Sequence, residues 1–489
     1  MNNSHDLEVL IRSNVPLISV ETHEEERAYD LIEKMSILNE WTLFTWSVTE
    51  GQRQRTKRDE RVPETSEPEA ALRHIARSLH NGLYLLFDFH PYLSEPVHVR
   101  LLKEIAQGYA KTARTIVLIS HRIELPLEIA RLSASYGLQL PDAVAIRALI
   151  QEEADLWARL HNTKVRADRE AHEQLVAHTV GLPLQDAQRF IRQAIRNDGA
   201  ITHDDIRALI QSKHQMTGHA PLLELNFDSA DVGDVGGLEN LKKWLAVRRA
   251  AMVEGAATAD VPRGVLLLGV QGSGKSLAAK AIAGSWKLPL LRLDVGALYN
   301  KFYGETERNL REALKSAENL APCVLWIDEI EKAIAQASSD DGLSRRMLGS
   351  LLTWMTERKS RVFLVATAND IQALPPELLR KGRFDEIFFV DLPPALVRQD
   401  IFAIHLRRRQ QPPEQFDLEA LSSASDGFSG AEIEQAIVSA LYQTSARQSA
   451  LTTALIVTEL QQTKPLSVLM AERVEALRAW ARERAVSAG

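Results

Sequence analysis

The sequence predicts an α/β protein in which a parallel-sheet region followed by a helical region occurs twice. Three observations lead there. Short β-branched runs alternate with amphipathic helical stretches over residues 1–140 and again over 234–393. Each α/β region then gives way to purely helical spacing, over 141–213 and over 394–489. A length of 489 residues accommodates several such units at roughly 150 residues each. The two halves share no obvious sequence repeat, so the duplication is one of architecture.

In the first region Leu17–Val20 reads as a strand and THEEERAYDLIEKM as the helix after it. Leu43–Val48 and Leu83–Phe87 are the second and third strands; a helix over about 97–110 and the run Thr115–Ile119 complete a parallel pattern. The intervening GQRQRTKRDERVPETSEPE is polar, charged and proline-containing, which predicts a mobile loop with Arg53 to Arg61 in solvent. In the helical region, DAVAIRALIQEEADLWARL and LQDAQRFIRQAIRND place apolar residues three and four apart. Residues 214–233 read as a linker. In the last helix Met470, Val474, Leu477 and Ala481 share a face suited to lid or subunit packing, and Ser467 is placed to cap it.

Composition narrows the function classes. Lys+Arg 58 against Asp+Glu 65 leaves a net charge of −7, which disfavours a protein that coats nucleic acid. A single cysteine, Cys323, rules out an intrachain disulfide or a Cys-rich zinc site and suits a reducing, cytoplasmic setting. The start lacks the basic and apolar blocks of a secretion signal, and apolar runs fall well short of the roughly 20 residues of a membrane span. None of the fourteen histidines shows metal-ligand spacing with supporting acids.

One segment carries specific chemistry. The strand Leu266-Leu267-Leu268 runs into Gly269-Val270-Gln271-Gly272-Ser273-Gly274-Lys275-Ser276, and SLAAKAIAG continues as a helix. In the pattern GxxxxGK[ST] the glycines let backbone N–H groups turn inward around phosphates. Lys275 then reaches the β/γ oxygens and Ser276 offers a hydroxyl to Mg²⁺. Average residue usage would produce the pattern by chance in a chain this long only about 2% of the time.

Downstream, Val324–Ile327 ends in Asp328-Glu329, where Asp328 would hold the metal and Glu329 would orient an attacking water. A further strand, Val362–Ala366, leads to Asn369, a polar group fit to contact a terminal phosphate or that water. Acids and amides at strand ends also start turns and helices, so only their order behind the phosphate loop makes them a site.

With these parts in series, residues 234 to about 440 resemble an ATPase of the AAA family, and the expected fold becomes a P-loop NTPase domain with a helical lid. Asp234-Val235-Gly236-Gly237-Leu238 is similar to the family's opening motif, which implies that Val235 and Gly236 border the adenine. The resemblance implies nucleotide contacts from Gly269, Val270, Gln271, Gly272, Ser273, Gly274, Lys275, Ser276 and Leu277. His405 matches a histidine near the adenosine, and Gly430 and Ala431 fall where the lid helix approaches. No arginine stands at that lid position, as in the protein-remodelling branch. Leu378-Leu379-Arg380-Lys381-Gly382-Arg383-Phe384-Asp385 resembles the second region of homology, with Arg380 and Arg383 as arginine fingers for a neighbouring subunit. Lys301-Phe302-Tyr303-Gly304-Glu305 is similar to the first pore loop of AAA unfoldases, with Phe302 gripping a polypeptide; a Phe302 folded into the core is the plain alternative.

Over the whole chain the resemblance is to the hypothetical chloroplast frame forty-six subfamily, through DLEVLIRSNVPLISVETHEEERA, LFTWSVTEG and TKPLSVLMAERVEALRAWARERA. The N-terminal half reads as a degenerate AAA-like α/β domain without a phosphate loop. Asp88 stands where an acid would hold metal, and Ser120-His121-Arg122 follows a strand as the polar sensor does. Thr22-His23-Glu24-Glu25-Glu26 replaces the phosphate loop, and three glutamates at a helix N-terminus would repel a polyphosphate.

The expected activity is Mg-ATP hydrolysis by a homo-oligomer, a hexamer by resemblance, that remodels or threads a protein partner. Two rivals remain at this level: an ATP-dependent assembly switch with slow turnover, and, less favoured, a nucleic-acid motor.

Overall fold

The computed structural model describes residues 3–55, 59–216, 222–227, 232–253, 260–294, 305–335 and 341–489. These divide into two compact units: residues 1–153 with 179–193, and residues 154–178 with 194–489.

The first unit is built on a sheet of seven strands: β1 (Leu17–Glu21), β2 (Leu43–Ser47), β3 (Gly51–Arg55), β4 (Asp59–Arg61), β5 (Gly82–Phe87), β6 (Arg114–Ser120) and β7 (Ser133–Gly137). Their spatial order is β4-β3-β2-β5-β6-β1-β7, with β2, β5, β6, β1 and β7 running parallel. Alternation along each strand feeds two cores. Leu17, Trp46, Tyr84, Leu86, Ile116 and Leu118 pack on helices Pro68–Arg77 and Pro96–Gln107. Ile18, Val20, Leu85, Val117 and Ile119 pack on helices Asn3–Arg12 and Glu25–Leu38.

The polar stretch expected as a mobile loop is instead an antiparallel meander, β2-β3-β4, at the sheet edge. An edge ladder is held by backbone bonds and needs no apolar alternation, so its strands are silent to hydrophobic periodicity. Buried Gln52 anchors it: its N–H donates to Thr65 Oγ1 at 2.8 Å and its Oε1 lies 2.9 Å from His74 Nδ1.

The second unit contains a short ladder of β8 (Arg166–Ala167) with β9 (Ala200–Ile201) and a second seven-stranded sheet. That sheet comprises β10 (Leu223–Asn226), β11 (Gly264–Gly269), β12 (Leu290–Leu293), β13 (Cys323–Ile327), β14 (Val362–Ala368), β15 (Glu386–Val390) and β16 (Val486–Ser487), in the order β10-β12-β13-β14-β11-β15-β16. All its pairings are parallel except β10 with β12. Counting only the five parallel strands before each lid region, both sheets have the order second-third-fourth-first-fifth. This shared wiring is the duplication that no sequence repeat reveals.

Three expectations are corrected. The region 214–233, read as a linker, contributes edge strand β10, because Leu222 and Leu223 bury themselves in the sheet's core. The last helix, Ala471–Arg484, packs Leu477 and Ala481 into that same core. The lid has its own core of Phe402, Leu406, Phe428, Ile433, Ile437 and Ile456 on helices Ala395–Arg408, Gly430–Arg447 and Thr453–Gln462. Ser467 does not cap the last helix; its hydroxyl donates to Gly427 O at 2.7 Å, and the helix begins after Met470. Among the described residues no helix is long and apolar enough to cross a membrane.

The chain end closes the second unit. Ala488 N–H donates to Phe389 O, and its carbonyl accepts from Asn240 N and Leu241 N at 3.1 Å each, satisfying two free donors at the start of helix Glu239–Val253. Deleting residues 486–489 should therefore cost about 1–3 kcal/mol. A lower urea midpoint with unchanged far-ultraviolet dichroism is the expected result; an unchanged midpoint would show that the tail contributes nothing.

Candidate functional site

Strand β11 lies between β14 and β15, so its C-terminal end faces the ends of both neighbours, the usual ligand position in an open parallel sheet. The chain turns there through Gly272 (φ +77°) and Gly274 (φ +97°) into helix Lys275–Trp286. Gly272 is required twice over. Its left-handed backbone suits glycine, and a Cβ there would come within 2.9 Å of Ser429 Oγ. Ala431 N–H donates to Gly272 O at 3.2 Å, which joins the lid to the loop. Ser429 caps the lid helix, with Glu432 completing a capping box.

Lys275 is buried, its ammonium donating to Gly269 O at 2.8 Å and Val270 O at 2.7 Å. Burial pulls its pKa down to about 8, against the attraction of Glu331, Asp328 and Glu329. Ser276 Oγ lies 3.4 Å from Asp328 Oδ1, so a hydroxyl and a carboxylate converge as hard oxygen donors.

Thr367, absent from the sequence-level site, organises the acids. Its hydroxyl donates to Asp328 Oδ1 at 2.6 Å and accepts from Glu329 N at 2.9 Å. Asn369 Nδ2 donates to Glu329 Oε1 at 2.8 Å, while Lys332 pairs with the other oxygen of that carboxylate. Glu331 was missed as well. It is buried, accepts from Asn369 N at 2.9 Å, and burial raises its carboxyl above the ordinary range. Thr367 could have been found two residues before Asn369, on the same strand face. Glu329 has φ +48°, a strained backbone of the kind that functional sites retain.

The phosphate loop, Asp328, Glu329, Thr367 and Asn369 line one cleft of about 370 Å³, while Glu331 and Lys332 line a neighbouring pocket. Of the expected residues, Val235, Gly236, Gln271, Gly272, Ser273, Gly274, Lys275, Ser276, Leu277, Asp328, Glu329, Asn369, His405, Gly430 and Ala431 line it. Gly269 and Val270 adjoin it as acceptors for Lys275. His405 is buried, which lowers its pKa against the pull of Glu434, 3.5 Å from Nδ1. Buried Ser273 Oγ, in the cradle, has no hydrogen-bond partner among the described residues. A glycine-lined loop with an inward cation and two converging oxygen donors fits a polyphosphate with a divalent ion.

Arg380 and Arg383 do not line the cleft. Their segment is pinned by Asp385, whose Oδ2 accepts from Arg263 N at 2.7 Å and Gly264 N at 3.0 Å. That is the opposite end of β11 from the phosphate loop, about 16 Å away along the strand. Phe302 lies outside the described residues.

The first unit meets the same geometry with different chemistry. The strand faces that pack on the helix after the first strand correspond, which aligns Phe87 with Asp328 and Asp88 with Glu329. Asp88 and Glu329 both have φ +48°. Asp88 therefore takes the place of the water-orienting acid rather than of the metal-holding one, correcting the expectation. His90 and His121 fall at the places of Glu331 and Asn369. The replacement for the phosphate loop is acidic as expected: Glu24 is buried and accepts from Arg27 and from Leu184 N, and burial raises Glu25, with repulsion from Asp88 and Glu26 adding to it.

A phosphate loop, an Asp-Glu strand end, a polar neighbour and a helical lid define a nucleotide-hydrolysing α/β domain. Comparison with known proteins agrees. Residues 265–392 match the profile "ATPase family associated with various cellular activities (AAA)". Residues 3–137 match "SpoVK-like AAA ATPase, N-terminal domain", and 144–219 the second domain of that group. The uncharacterized AAA domain-containing protein ycf46 of Pyropia yezoensis is 36% identical over 491 residues, covering 98% of each chain. The proteasome-activating nucleotidase of Aeropyrum pernix is 39% identical over 197 residues, 39% of this chain and 48% of its own. The cell division cycle protein 48 homolog of Archaeoglobus fulgidus is 31% identical over 301 residues, 58% and 40%. The chain belongs to the AAA ATPase family, in the group of the ycf46 proteins, and its activity is ATP hydrolysis.

Two predictions follow from the cleft. Thr367→Val should lower kcat about tenfold or more with little change in ATP affinity, since it frees both acids while leaving the loop intact; Thr367→Ser should restore turnover. Equal loss in both variants would assign Thr367 to packing alone. Binding anionic phosphate favours charged Lys275, so above pH of about 8 a proton must be taken up with ATP. The Kd for ATP should then rise by up to about tenfold per pH unit, a slope missing in Lys275→Met.

Proposed function

We propose that the protein is a Mg-ATP hydrolase that acts as a ring-forming homo-oligomer, a hexamer by family resemblance, and couples turnover to remodelling or threading of a protein partner. In this reading Ser276 and Asp328 hold Mg²⁺, directly or through water. The bound ion supplies neutralisation of phosphate charge. Lys275 and the N–H groups of the phosphate loop hold the β/γ-phosphates, with Val235, Gly236 and His405 beside the base and Gly430 and Ala431 closing from the lid. Glu329, aimed by Asn369 and Thr367, orients and polarises the attacking water.

The observation that carries the oligomeric reading is the distance of Arg380 and Arg383 from their own cleft. Every other expected polar group of the site converges within the chain, while these two cations sit on a braced segment at the far end of β11. A finger from a neighbour, worth about 10³–10⁵ in rate, would complete the site. The threading element rests on the resemblance of Lys301–Glu305 to a pore loop, with Phe302 as the gripping side chain.

Light scattering on Glu329→Gln, which binds ATP without turning it over, is expected to give a ring-sized species with Mg-ATP and a smaller one without. A persistent monomer would undercut the ring and its trans finger, leaving the slow-turnover switch ahead or requiring a partner to complete the site. Mixing Arg383→Ala with Lys275→Ala chains should restore hydrolysis at up to about a quarter of the sites in a random equimolar ring; no recovery would place the arginine's effect within its own chain. With casein as an unfolded substrate, stimulation of hydrolysis should vanish in Phe302→Ala while the basal rate stays. Loss of the basal rate to the level of Glu329→Gln would count against gripping.

A further inference from the structure

We propose that the first unit binds a divalent transition metal, zinc in the first instance, through Asp88, His90 and His121. The sequence offered no such set, because the three residues are split between the ends of two strands. Asp88 and His90 follow β5, His121 follows β6, and these strands are parallel neighbours. Their ligand atoms all lie within 4.8 Å of one another, close enough to share one ion.

The surroundings prepare these groups as ligands. Ser120 Oγ lies 2.9 Å from Asp88 Oδ1 and 2.5 Å from His90 Nδ1. One hydroxyl can donate to the carboxylate and accept from Nδ1–H. Ser120 thus holds both side chains at one point, with His90 Nδ1 3.9 Å from Asp88 Oδ1, as a hydrogen-bonding partner orients a metal-bound histidine. The His121 ring stands edge-on to His90, with centroids 4.6 Å apart, and stacks on His23 at 5.9 Å. Glu25 and Glu26 open the adjoining helix and add negative potential.

Two imidazoles and one carboxylate form a nitrogen-oxygen set that suits Zn²⁺, Co²⁺, Ni²⁺ or Cu²⁺ better than Mg²⁺ or Ca²⁺. Asp88 and His121 are exposed and His90 is half-buried, so an ion can enter and keep an open position for water or a further ligand. The place in the fold is informative. Asp88, His90 and His121 occupy the positions of Glu329, Glu331 and Asn369, which meet one another in the second unit to serve hydrolysis. The first unit keeps the meeting point and lacks the phosphate loop. Its donors are now those of a metal site, and the ion would tie the end of β5 to the end of β6. This inference stands apart from the ring and threading proposals.

The test uses untagged full-length protein, stripped with chelator and dialysed against Zn²⁺ in excess Mg²⁺, so that the oxygen donors around Asp328 are occupied. Elemental analysis should find one Zn²⁺ per chain, lost in the double variant His90→Ala, His121→Ala with its dichroism spectrum unchanged. Co²⁺ in place of Zn²⁺ should give visible d–d bands that the double variant lacks. Asp88→Asn and His121→Gln, both at exposed positions, should each weaken Zn²⁺ binding about tenfold or more and guard against a folding defect. Failure of the wild-type chain to retain Zn²⁺, or wild-type affinity in these variants, would overturn the proposal.

Discussion

In each sheet the first parallel strand is inserted between the fourth and the fifth, and this chain routing governs everything built on the strand ends. Strand β11 must then end beside β14, with β13 one strand further on, and whatever follows these three strands converges. The right-handed crossovers that put helices on both faces leave the C-terminal strand ends open, so the convergence forms a cleft rather than a core. Lys275, Asp328, Glu329 and Asn369 are separated by up to 94 residues in sequence and become neighbours for this reason alone.

The same routing in the first unit shows how far fold and chemistry can separate. Its sheet repeats the strand order, and its third strand even ends in the same left-handed backbone as Glu329. The turn after β1, however, carries buried Glu24 and exposed Glu25 and Glu26 where a phosphate loop would offer N–H groups, a charge that opposes a polyphosphate. A scaffold that presents side chains at converging strand ends can serve a different ligand once the residues at those ends change.

Cohesion in the second unit comes from elements distant in sequence. Asp385 braces the arginine-bearing segment against the start of β11, and Arg478 pairs with Asp391 at the end of β15, at 2.9 Å. Arg473 reaches Asp370, the residue after Asn369, at 2.7 Å. The last helix is thus bonded to the strand ends that carry the chemistry, and a displacement of that helix would be felt beside Glu329. These exposed or half-exposed pairs add little stability individually; their consequence is positional.

Central strands were legible from local pattern, because a strand buried on both faces must be apolar throughout: Leu17–Val20, Leu83–Phe87 and Val362–Ala366 stand within a residue or two of their observed bounds. The phosphate loop was legible because backbone turned around an anion tolerates few residue types, and the Asp-Glu pair because it follows that loop in a fixed order. Edge strands β4 and β10, and β3 beside β4 in the polar meander, were not, since backbone pairing there places little demand on side-chain polarity. Nor were Thr367 and Glu331, whose roles exist only through hydrogen bonds across adjacent strands, nor the grouping of Asp88, His90 and His121. Residues whose type is dictated by their own backbone or burial could thus be read from the chain alone. Which of them meet is set by strand order and register, fixed by packing over long separations, because these choose the neighbours of every strand end.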